Sequence, residues 1–442
     1  MRSFPFGAAA LCILALAIIS GLCLAFAPAE QHNATLRLWV FAKAHYDTYT
    51  KAIPNFEREN PGVTVDLQLV SNSSLATRLQ SAFLADVDVP DQVEIEISSA
   101  GSFFRGPLNE VGFLDLTDRL HQSGLYDKMV QARFAPYTKQ GHIFGLPHDV
   151  HPVMLAYRRD LFEQAGVDVS KIETWDDFIA AGRRVTIPGK RYMIEMSDNS
   201  GTQLEVCLFQ HGGGYFDPDG HCILDNEASV QTMLWYVPLV AGKNKIGGDL
   251  GSGQILTKAV EDGYFLTLVT PDWRSKSIEN DIPRMAGKMA LMPFPALTRG
   301  GVRTSTWGGT MMGITKHCKN PDMAWKLAQY LYLNKEDLAM RFRENNILPC
   351  SREAWEHPSF HEPRAYWSGQ PLGELYSKLA PQVPFQYSSP FISTAKGKLS
   401  EALVDCVQQY KAQGDAGFEA FVRARLKRSA DEVRLRIARN PY

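Results

Sequence analysis

One short segment of the sequence has the residue types and spacing that metal binding requires. His148, Asp149 and His151 lie together in PHDVHP, so two imidazoles and one carboxylate could act as metal ligands. No further cluster of histidines and cysteines supports a metal ion, and the sequence contains no C-x-x-C pair. We therefore predict neither a metal site nor a cofactor.

Paired carboxylates are the second pattern with chemical potential, because a retaining glycoside hydrolase uses two acids about 5–5.5 Å apart. Pairs of neighbouring acids in the sequence include Glu94 and Glu96, Asp176 and Asp177, and Asp217 and Asp219. A strand face, the first turn of a helix and a turn explain them without catalysis. The sequence also lacks a G-x-S-x-G nucleophile elbow. We predict that the protein is not an enzyme, with a secreted carbohydrate-active hydrolase as the alternative.

The glycine-rich segment at residues 212–214 resembles a phosphate-binding loop only in its glycines. It lacks the Gly-Lys-Ser/Thr ending that contacts the phosphates and Mg²⁺, so a nucleotide site is not expected.

Composition limits the class of protein further. The 442 residues are 45% hydrophobic with a formal net charge of −2, which fits a globular chain of two or three domains. Because 46 basic residues balance 48 acidic ones, the concentrated positive field of a nucleic-acid binder is missing. Only one long apolar run exists, so the chain is not a multi-span membrane protein.

That apolar run, residues 8–27, predicts export from the cytoplasm. It has the character of a signal peptide over residues 1–29 with cleavage before Glu30, and an uncleaved N-terminal anchor is the alternative. Five cysteines follow this segment. Cys207 and Cys222 could pair across a short loop, whereas small buried thiols are the alternative for all five.

The first hundred residues alternate between strand and helix patterns. Strands are predicted at 36–41, 63–70 and 92–97, with helices at about 45–59 and 74–85 between them. We expect Ser73 or Ser74 to cap the second helix. This βαβ order predicts a mostly parallel sheet, in which ligands bind at the carboxyl ends of the strands.

Helix-start signals recur later in the chain. Thr174 to Asp177 has the form of a capping box ahead of a helix over 178–184. Asn320-Pro-Asp322 provides a cap, a first-turn proline and a first-turn acid. Residues 417–438 have the pattern of a charged amphipathic helix.

Seven motifs in order resemble the extracellular sugar-binding proteins of ABC importers, the maltose-binding-like solute-binding family 1. The motifs are FERENPGV at 56–63, PDQVE at 90–94, GLP at 145–147, LAYRRDLF at 155–162, AG followed by TWDDF at 165–178, WGG at 307–309, and NP with AW at 320–325. The resemblance covers nearly all of residues 35–442. Arg158-Arg159 departs from the usual Asn-Lys of the family.

This resemblance implies a two-lobed α/β fold of periplasmic-binding-protein type II, with a ligand cleft between the lobes. Lobe 1 is expected at 35–149 plus 310–350, and lobe 2 at 150–309 plus 351–442. The implied function is capture of a mono- or oligosaccharide outside the cytoplasm, in the periplasm or at the membrane face. A monomer would deliver it to an ABC permease by hinge closure, and a non-sugar polar solute is the alternative ligand.

A sugar-binding cleft needs aromatic rings for the C–H faces and polar groups for the hydroxyls. At the strand ends, Trp39 is a candidate for stacking or for core packing, Glu96 for binding or plain surface, and Ser98 and Ser99 for binding. The resemblance places further candidates at the two interlobe crossings and on lobe 2: Asp149, His151, Tyr215, Asp272, Trp273, Trp307, Gly308 and Gly309.

Overall fold

The computed structural model describes residues 13, 15–19 and 36–440. Apart from residues 13 and 15–19, which are helical, the predicted signal peptide or anchor lies outside the described residues. Within the described part of the chain, no helix combines the length and apolar character needed to cross a membrane.

The described strands belong to two large sheets and one small hairpin. They are β1 Leu36–Val40, β2 Val65–Leu69, β3 Gln92–Glu96, β4 Thr138–Lys139, β5 His142–Ile143, β6 Leu146–Pro147, β7 Val153–Arg158, β8 Tyr192–Glu195, β9 Gly247–Gly248, β10 Phe265–Pro271, β11 Met289–Pro293 and β12 Thr310–Ile314.

Helices surround both sheets. The α-helices are Lys43–Glu59, Asn72–Ala85, Ile97–Ala100, Thr117–Gln122, Leu125–Lys128, Arg159–Gln164, Trp175–Val185, Thr202–Gln210, Glu227–Val240, Gln254–Glu261, Asp272–Asp281, Pro321–Leu333, Lys335–Asn345, Leu372–Leu379, Ile392–Gln413 and Phe418–Arg439.

The first sheet has the strand order β2-β1-β3-β12-β6. β1 pairs in parallel with β2 and β3, which confirms the βαβ order predicted for the first hundred residues. β12 returns from much later in the chain and pairs antiparallel with β3 and β6. The carboxyl ends of β1 and β3 therefore lie side by side, where residues 41–45 and 96–98 begin the following helices.

The second sheet has the order β11-β7-β10-β8-β9. Every residue of β7 and β10 is buried, as expected for central strands covered by helices on both faces. The strands of the first sheet come from residues 36–147 and 310–314, and those of the second from 153–293. The chain therefore changes sheet after β6 and again before β12, whereas the exact lobe limits stay a prediction.

Two of the three predicted helix starts agree with the structure, and one is wrong. Thr174 and Asp177 form a reciprocal capping box, and the Asn320 side chain accepts a hydrogen bond from the amide of Met323. The helix predicted to be capped by Ser73 or Ser74 instead begins at Asn72, after Ser71. The Ser71 and Ser73 hydroxyls hydrogen-bond to each other at 2.9 Å, so the serine run satisfies itself rather than capping the helix.

The cysteines of the described region are free thiols, so the proposed Cys207–Cys222 disulfide is wrong. Both residues belong to the hydrophobic core of the second sheet, where they pack as small apolar side chains. Burial raises the pKa of Cys207, which keeps its thiol protonated.

Candidate functional site

Three extended segments run side by side between the two sheets. Hydrogen bonds join the first, residues 148–153, to both of the others: Val153 N–H donates to Ser305 O at 3.1 Å, and Val150 N–H donates to Leu348 O at 3.1 Å. The second and third segments are therefore residues 304–310 and 346–351. Backbone crossings of this kind are the natural hinge between two lobes, because they are the covalent connections about which the lobes can rotate.

A cavity of about 640 Å³ opens beside these crossings, between the two sheets. Its volume is within the range of about 300–1,000 Å³ that small-molecule sites occupy. Nine of the twelve site residues predicted from the sequence line it: Glu96, Ser98, Asp149, His151, Tyr215, Trp273, Trp307, Gly308 and Gly309.

Trp39, Ser99 and Asp272 do not line this cavity. Trp39 is 1% exposed in the core beneath helix Asn72–Ala85, with the guanidinium of Arg78 4.1 Å from its ring centre. Of the two alternatives for Trp39, the structure therefore supports core packing. Ser99 lies one residue further along the short helix that follows β3, with its backbone carbonyl accepting a hydrogen bond from Ser102.

Asp272 is fully buried directly beneath the cavity lining. Its Oδ1 accepts from the amide of Trp273 at 2.7 Å and faces His151 Nδ1 at 2.6 Å. Its Oδ2 accepts from the amide of Leu348 at 2.7 Å. One carboxylate thus joins helix Asp272–Asp281 of the second sheet to the first and third crossings, so its geometry is that of a positioning group.

His151 has a carboxylate at each ring nitrogen. Nδ1 is 2.6 Å from Asp272 Oδ1, and Nε2 is 3.2 Å from Asp149 Oδ2. An imidazole can donate to both only when it is protonated. Although burial disfavours the charge, Asp149 and Asp272 together raise the pKa of His151 to about 9. His151 also has a φ of 55°, a left-handed conformation that is uncommon for residues other than glycine.

Asp149 is held on its other side by a backbone amide, a histidine and an arginine. Its Oδ1 accepts from the amide of Thr310 at 3.2 Å and is 3.6 Å from Arg133, and its Oδ2 is 2.9 Å from His148. Burial opposes ionisation, yet His151 and His148 keep the pKa of Asp149 well below its usual value. The carboxylate therefore stays charged and paired.

The residues best placed to hold a metal already have protein partners. His45, Glu94 and His148 bring ligand atoms within 4.8 Å of one another. However, Glu94 accepts hydrogen bonds from Tyr49 at 2.5 Å and Tyr332 at 2.8 Å, and His148 Nε2 is 2.6 Å from an Arg341 nitrogen. The Arg341 guanidinium at His148 Nε2 places a positive charge where a metal ion would bind, which opposes metal binding there. The cluster is explained as a buried polar core that reaches the cavity at His45.

The side of the cavity formed by the second sheet is aromatic. The rings of Trp273 and Trp307 meet edge to face at 5.5 Å, and the indole N–H of Trp273 donates to Trp307 O at 3.0 Å. The Arg274 guanidinium lies over the Trp307 ring, 5.4 Å from the ring centre. Gly308 permits this packing, because a Cβ there would lie 3.3 Å from both Trp273 Nε1 and His151 Cδ2 at a φ of 91°.

The sequence analysis missed four charged residues of the lining: Lys43, Glu205, Lys276 and Lys396. Glu205 accepts a hydrogen bond from the Tyr215 hydroxyl at 2.5 Å and pairs with Lys396 at 3.1 Å. Lys396 and Ser400 are four residues apart on helix Ile392–Gln413, so both face the cavity. That spacing is visible in the sequence, but only the packing of the lobes brings this helix opposite Glu96.

Glu96 supplies the polar group of the first sheet. Its carboxylate accepts from the Ser98 amide at 2.9 Å and from the Ser98 hydroxyl, so the end of β3 is fixed in place. Burial raises the pKa of Glu96 against these hydrogen bonds and the attraction of Lys396. Polar groups around aromatic rings in a preformed cleft are the chemistry of a site for a polar solute with apolar faces.

Two α/β lobes with a cleft between them and three crossings at its base define a two-lobed solute-binding protein. The model of the family described as "Bacterial extracellular solute-binding protein" matches residues 42–337, and the chain belongs to that family. This confirms the resemblance and the periplasmic-binding-protein fold predicted from the sequence.

Curated relatives and solved structures agree. The arabinooligosaccharide-binding protein of Bacillus subtilis is 26% identical over 366 residues, which cover 80% of this chain and 83% of the relative. The lactose-binding protein of Rhizobium radiobacter is 23% identical and covers 76% and 79%. The sugar-binding protein MalE of Xanthomonas citri superimposes with a TM-score of 0.76 at 18% identity, covering 91% of this chain and 98% of that one.

Proposed function

We propose that this protein captures an oligosaccharide in the interlobe cavity and delivers it to the membrane permease of an ABC importer. The observation that carries the proposal is that Trp273 and Trp307 line the same cavity as the polar side chains of Glu96 and Ser98. Sugar rings present apolar C–H faces and a rim of hydroxyls. Aromatic rings pack against the apolar C–H faces, and carboxylates and hydroxyls form hydrogen bonds with the sugar hydroxyls.

Predicted site residues that line the cavity take roles that their surroundings support. Trp273 and Trp307 stack on the sugar, and Glu96 accepts hydrogen bonds from its hydroxyls. Tyr215 is fixed by Glu205, so it contributes its ring rather than its hydroxyl. Asp149 and His151 shape the floor of the cavity at the crossings.

The names of related proteins support a saccharide of more than one unit. Two relatives of 25% and 26% identity are arabinooligosaccharide-binding proteins. Solved neighbours of the same fold contain β-1,6-galactobiose and maltotetraose. Family membership also supports an exported protein that meets its permease outside the cytoplasm, and we propose that it does so as a monomer.

We propose binding without cleavage. The family consists of binding proteins, and the acids nearest the cavity already have partners: Asp149 is paired with histidines, and Glu205 with Tyr215 and Lys396. A receptor needs only that its ligand prefer the closed lobes, because that difference in affinity drives the conformational change.

A thermal-shift screen with arabino-, galacto- and malto-oligosaccharides, lactose and polyols tests the proposal. A solute at a hundredfold excess over its Kd adds about 2.7 kcal/mol of stability. We expect a selective rise in Tm with an oligosaccharide, which is recovered intact by chromatography. A shift with polyols alone would reassign the ligand, and recovery of cleaved sugar would reassign the protein as a hydrolase.

A further inference from the structure

The two lobes meet beside the cavity at a contact that includes a glycine. Helix Ile97–Ala100, after β3, packs against helix Ile392–Gln413 of the opposite lobe. Gly101 follows the first helix directly. A Cβ on Gly101 would lie 2.3 Å from the carbonyl oxygen of Ser389 and 2.4 Å from the hydroxyl of Ser388. Real Cβ atoms essentially never approach another atom within 3.0 Å.

The backbone of Gly101 does not itself require glycine. Its φ of −57° and ψ of −29° are right-handed helical values, which every L-residue adopts. At a helical position glycine is destabilising relative to alanine, because it loses more conformational freedom on folding. The local structure would therefore favour a side chain, and the requirement for its absence comes from the opposite lobe.

The contact also determines the geometry of the cavity. Ser98, which lines the cavity, lies three residues before Gly101, and Lys396 lies seven residues after Ser389. When Gly101 sits against Ser388 and Ser389, the polar wall at Glu96 therefore faces the wall that carries Lys396. Separation of this contact would widen the cavity and pull the two walls apart.

We propose that Gly101 is a positioning residue for ligand binding, because the absence of its side chain allows the two lobes to close on the solute. The inference rests on the proposed function, since it assigns a residue to the closure that this function requires. A side chain at this position holds the lobes apart, so a saccharide contacts one wall at a time. Affinity then falls with the fraction of protein that can reach the closed state.

A second feature of the contact fits a surface that opens and closes. The Ser388 hydroxyl is buried there, and the described residues give it no hydrogen-bond partner. A buried hydroxyl without a partner is unfavourable relative to one in water. Closure therefore has a small cost in the free protein, which the binding energy of a solute offsets.

The chain contains a matched control for a substitution at Gly101. Gly397 is also a glycine in a helix, Ile392–Gln413, but a Cβ there would have no neighbour within 4 Å. Gly101→Ala and Gly397→Ala thus make the same chemical change with and without the opposing lobe. We expect Gly101→Ala to weaken binding at least about tenfold and Gly397→Ala to leave it unchanged.

Affinity is measured by calorimetry with arabinotriose, lactose and maltotetraose as probes. Lobe closure is measured separately by electron–electron double resonance between spin labels at Asn109→Cys and Asp219→Cys, with Cys12 and Cys23 changed to serine. Both labelled positions are exposed and line opposite sides of a second gap between the lobes. We expect the Gly397→Ala protein to show a population with a short distance between the labels, and we expect adding the saccharide probe to enlarge that population. In the Gly101→Ala protein we expect this population to be absent with and without the probe.

The two proposals fail in different ways. If the unsubstituted chain binds none of the probes or other saccharides, the proposed function is wrong, while the label distances without a probe still test Gly101. If Gly101→Ala and Gly397→Ala give the same label distances and the same affinities, the role assigned to Gly101 is overturned.

Discussion

The ionised groups at the crossings are paired with one another, whereas the second-lobe wall of the cavity presents aromatic rings to the space where a ligand would lie. At the crossings, the Asp149, His151 and Asp272 side chains contact each other or backbone amides at 2.6–3.2 Å. On the second-lobe wall, the Trp273 indole N–H donates to the Trp307 backbone carbonyl, and both residues line the cavity.

This difference separates two tasks that the sequence places next to each other. Asp272 and Trp273 are neighbours in the chain, yet one fixes the crossings and the other lines the cavity. Substitutions at the crossings should therefore act first on stability, and substitutions of the aromatic wall should act first on affinity.

The largest expected effect is loss of stability in Asp272→Ala. Removing one partner of a buried ion pair costs about 3–5 kcal/mol, since the other charge stays buried. Here His151 would lose one carboxylate and the Leu348 amide its acceptor. Urea unfolding measures the change, with exposed Asp176→Ala as the control, expected within about 0.5 kcal/mol of the unsubstituted chain. Equal stabilities of the two variants would contradict a structural role for Asp272.

Trp273→Ala should instead make the binding free energy less favourable by about 2 kcal/mol, which raises Kd roughly 30-fold. An effect of this size is expected for an aromatic residue at the centre of a binding site. Its fold should survive, because Trp273 is only partly buried. Calorimetry with the saccharide identified in the screen gives the affinity, and circular dichroism checks the fold. Phe385→Ala is the control, because Phe385 is 55% exposed and lies outside the cavity lining. Unchanged affinity in a folded Trp273→Ala protein would remove Trp273 from the site.

The pH dependence of stability should show the charge on His151. Its pKa is about 9 in the folded protein and about 6.5 when unfolded. The native state therefore binds the proton more tightly, so its stabilising contribution is complete below about pH 6.5 and is lost as the pH rises towards 9. The free energy of unfolding, measured from pH 6 to 10, should decrease as the pH rises from about 6.5 to 9. The decrease should be less steep in His151→Gln. Equal slopes would show that His151 is neutral in the fold.

The smallest expected effect is that of Glu96→Gln. The amide keeps the shape and one acceptor, and hydrogen bonds to charged groups exceed neutral ones by about 1 kcal/mol. We expect a five- to tenfold loss of affinity by calorimetry and no loss of stability. A loss as large as that of Trp273→Ala would mean that the polar wall, rather than the aromatic wall, dominates binding.

Local patterns predicted the first sheet well, because alternating strands and capped helices depend on residues close together in the chain. The strand predicted at 92–97 lies at Gln92–Glu96, and the helix predicted at 417–438 lies at Phe418–Arg439. The same patterns could not tell the two roles of tryptophan apart. Trp39 and Trp273 both lie near strand ends, and only the packing of helix Asn72–Ala85 over β1 buries the first.

Residues that reach the cavity from distant helices were beyond local inference. Glu205 and Lys396 are 191 positions apart and meet only because their two helices share one hydrophobic core. Asp272 was predicted as a ligand contact, but the turn at the end of β10 directs its carboxylate towards His151 instead. Periodicity within one element carries no information on such contacts.

The central claim is that the cavity binds an oligosaccharide through its aromatic wall. Titration calorimetry of the unsubstituted chain and of Trp273→Ala, with arabino-oligosaccharides of increasing length and recovery of the sugar afterwards, tests it most directly. The structure predicts one-to-one binding of intact sugar to the unsubstituted chain and about 30-fold weaker binding to the variant. Equal binding to both proteins, or binding of no saccharide at all, would contradict the account.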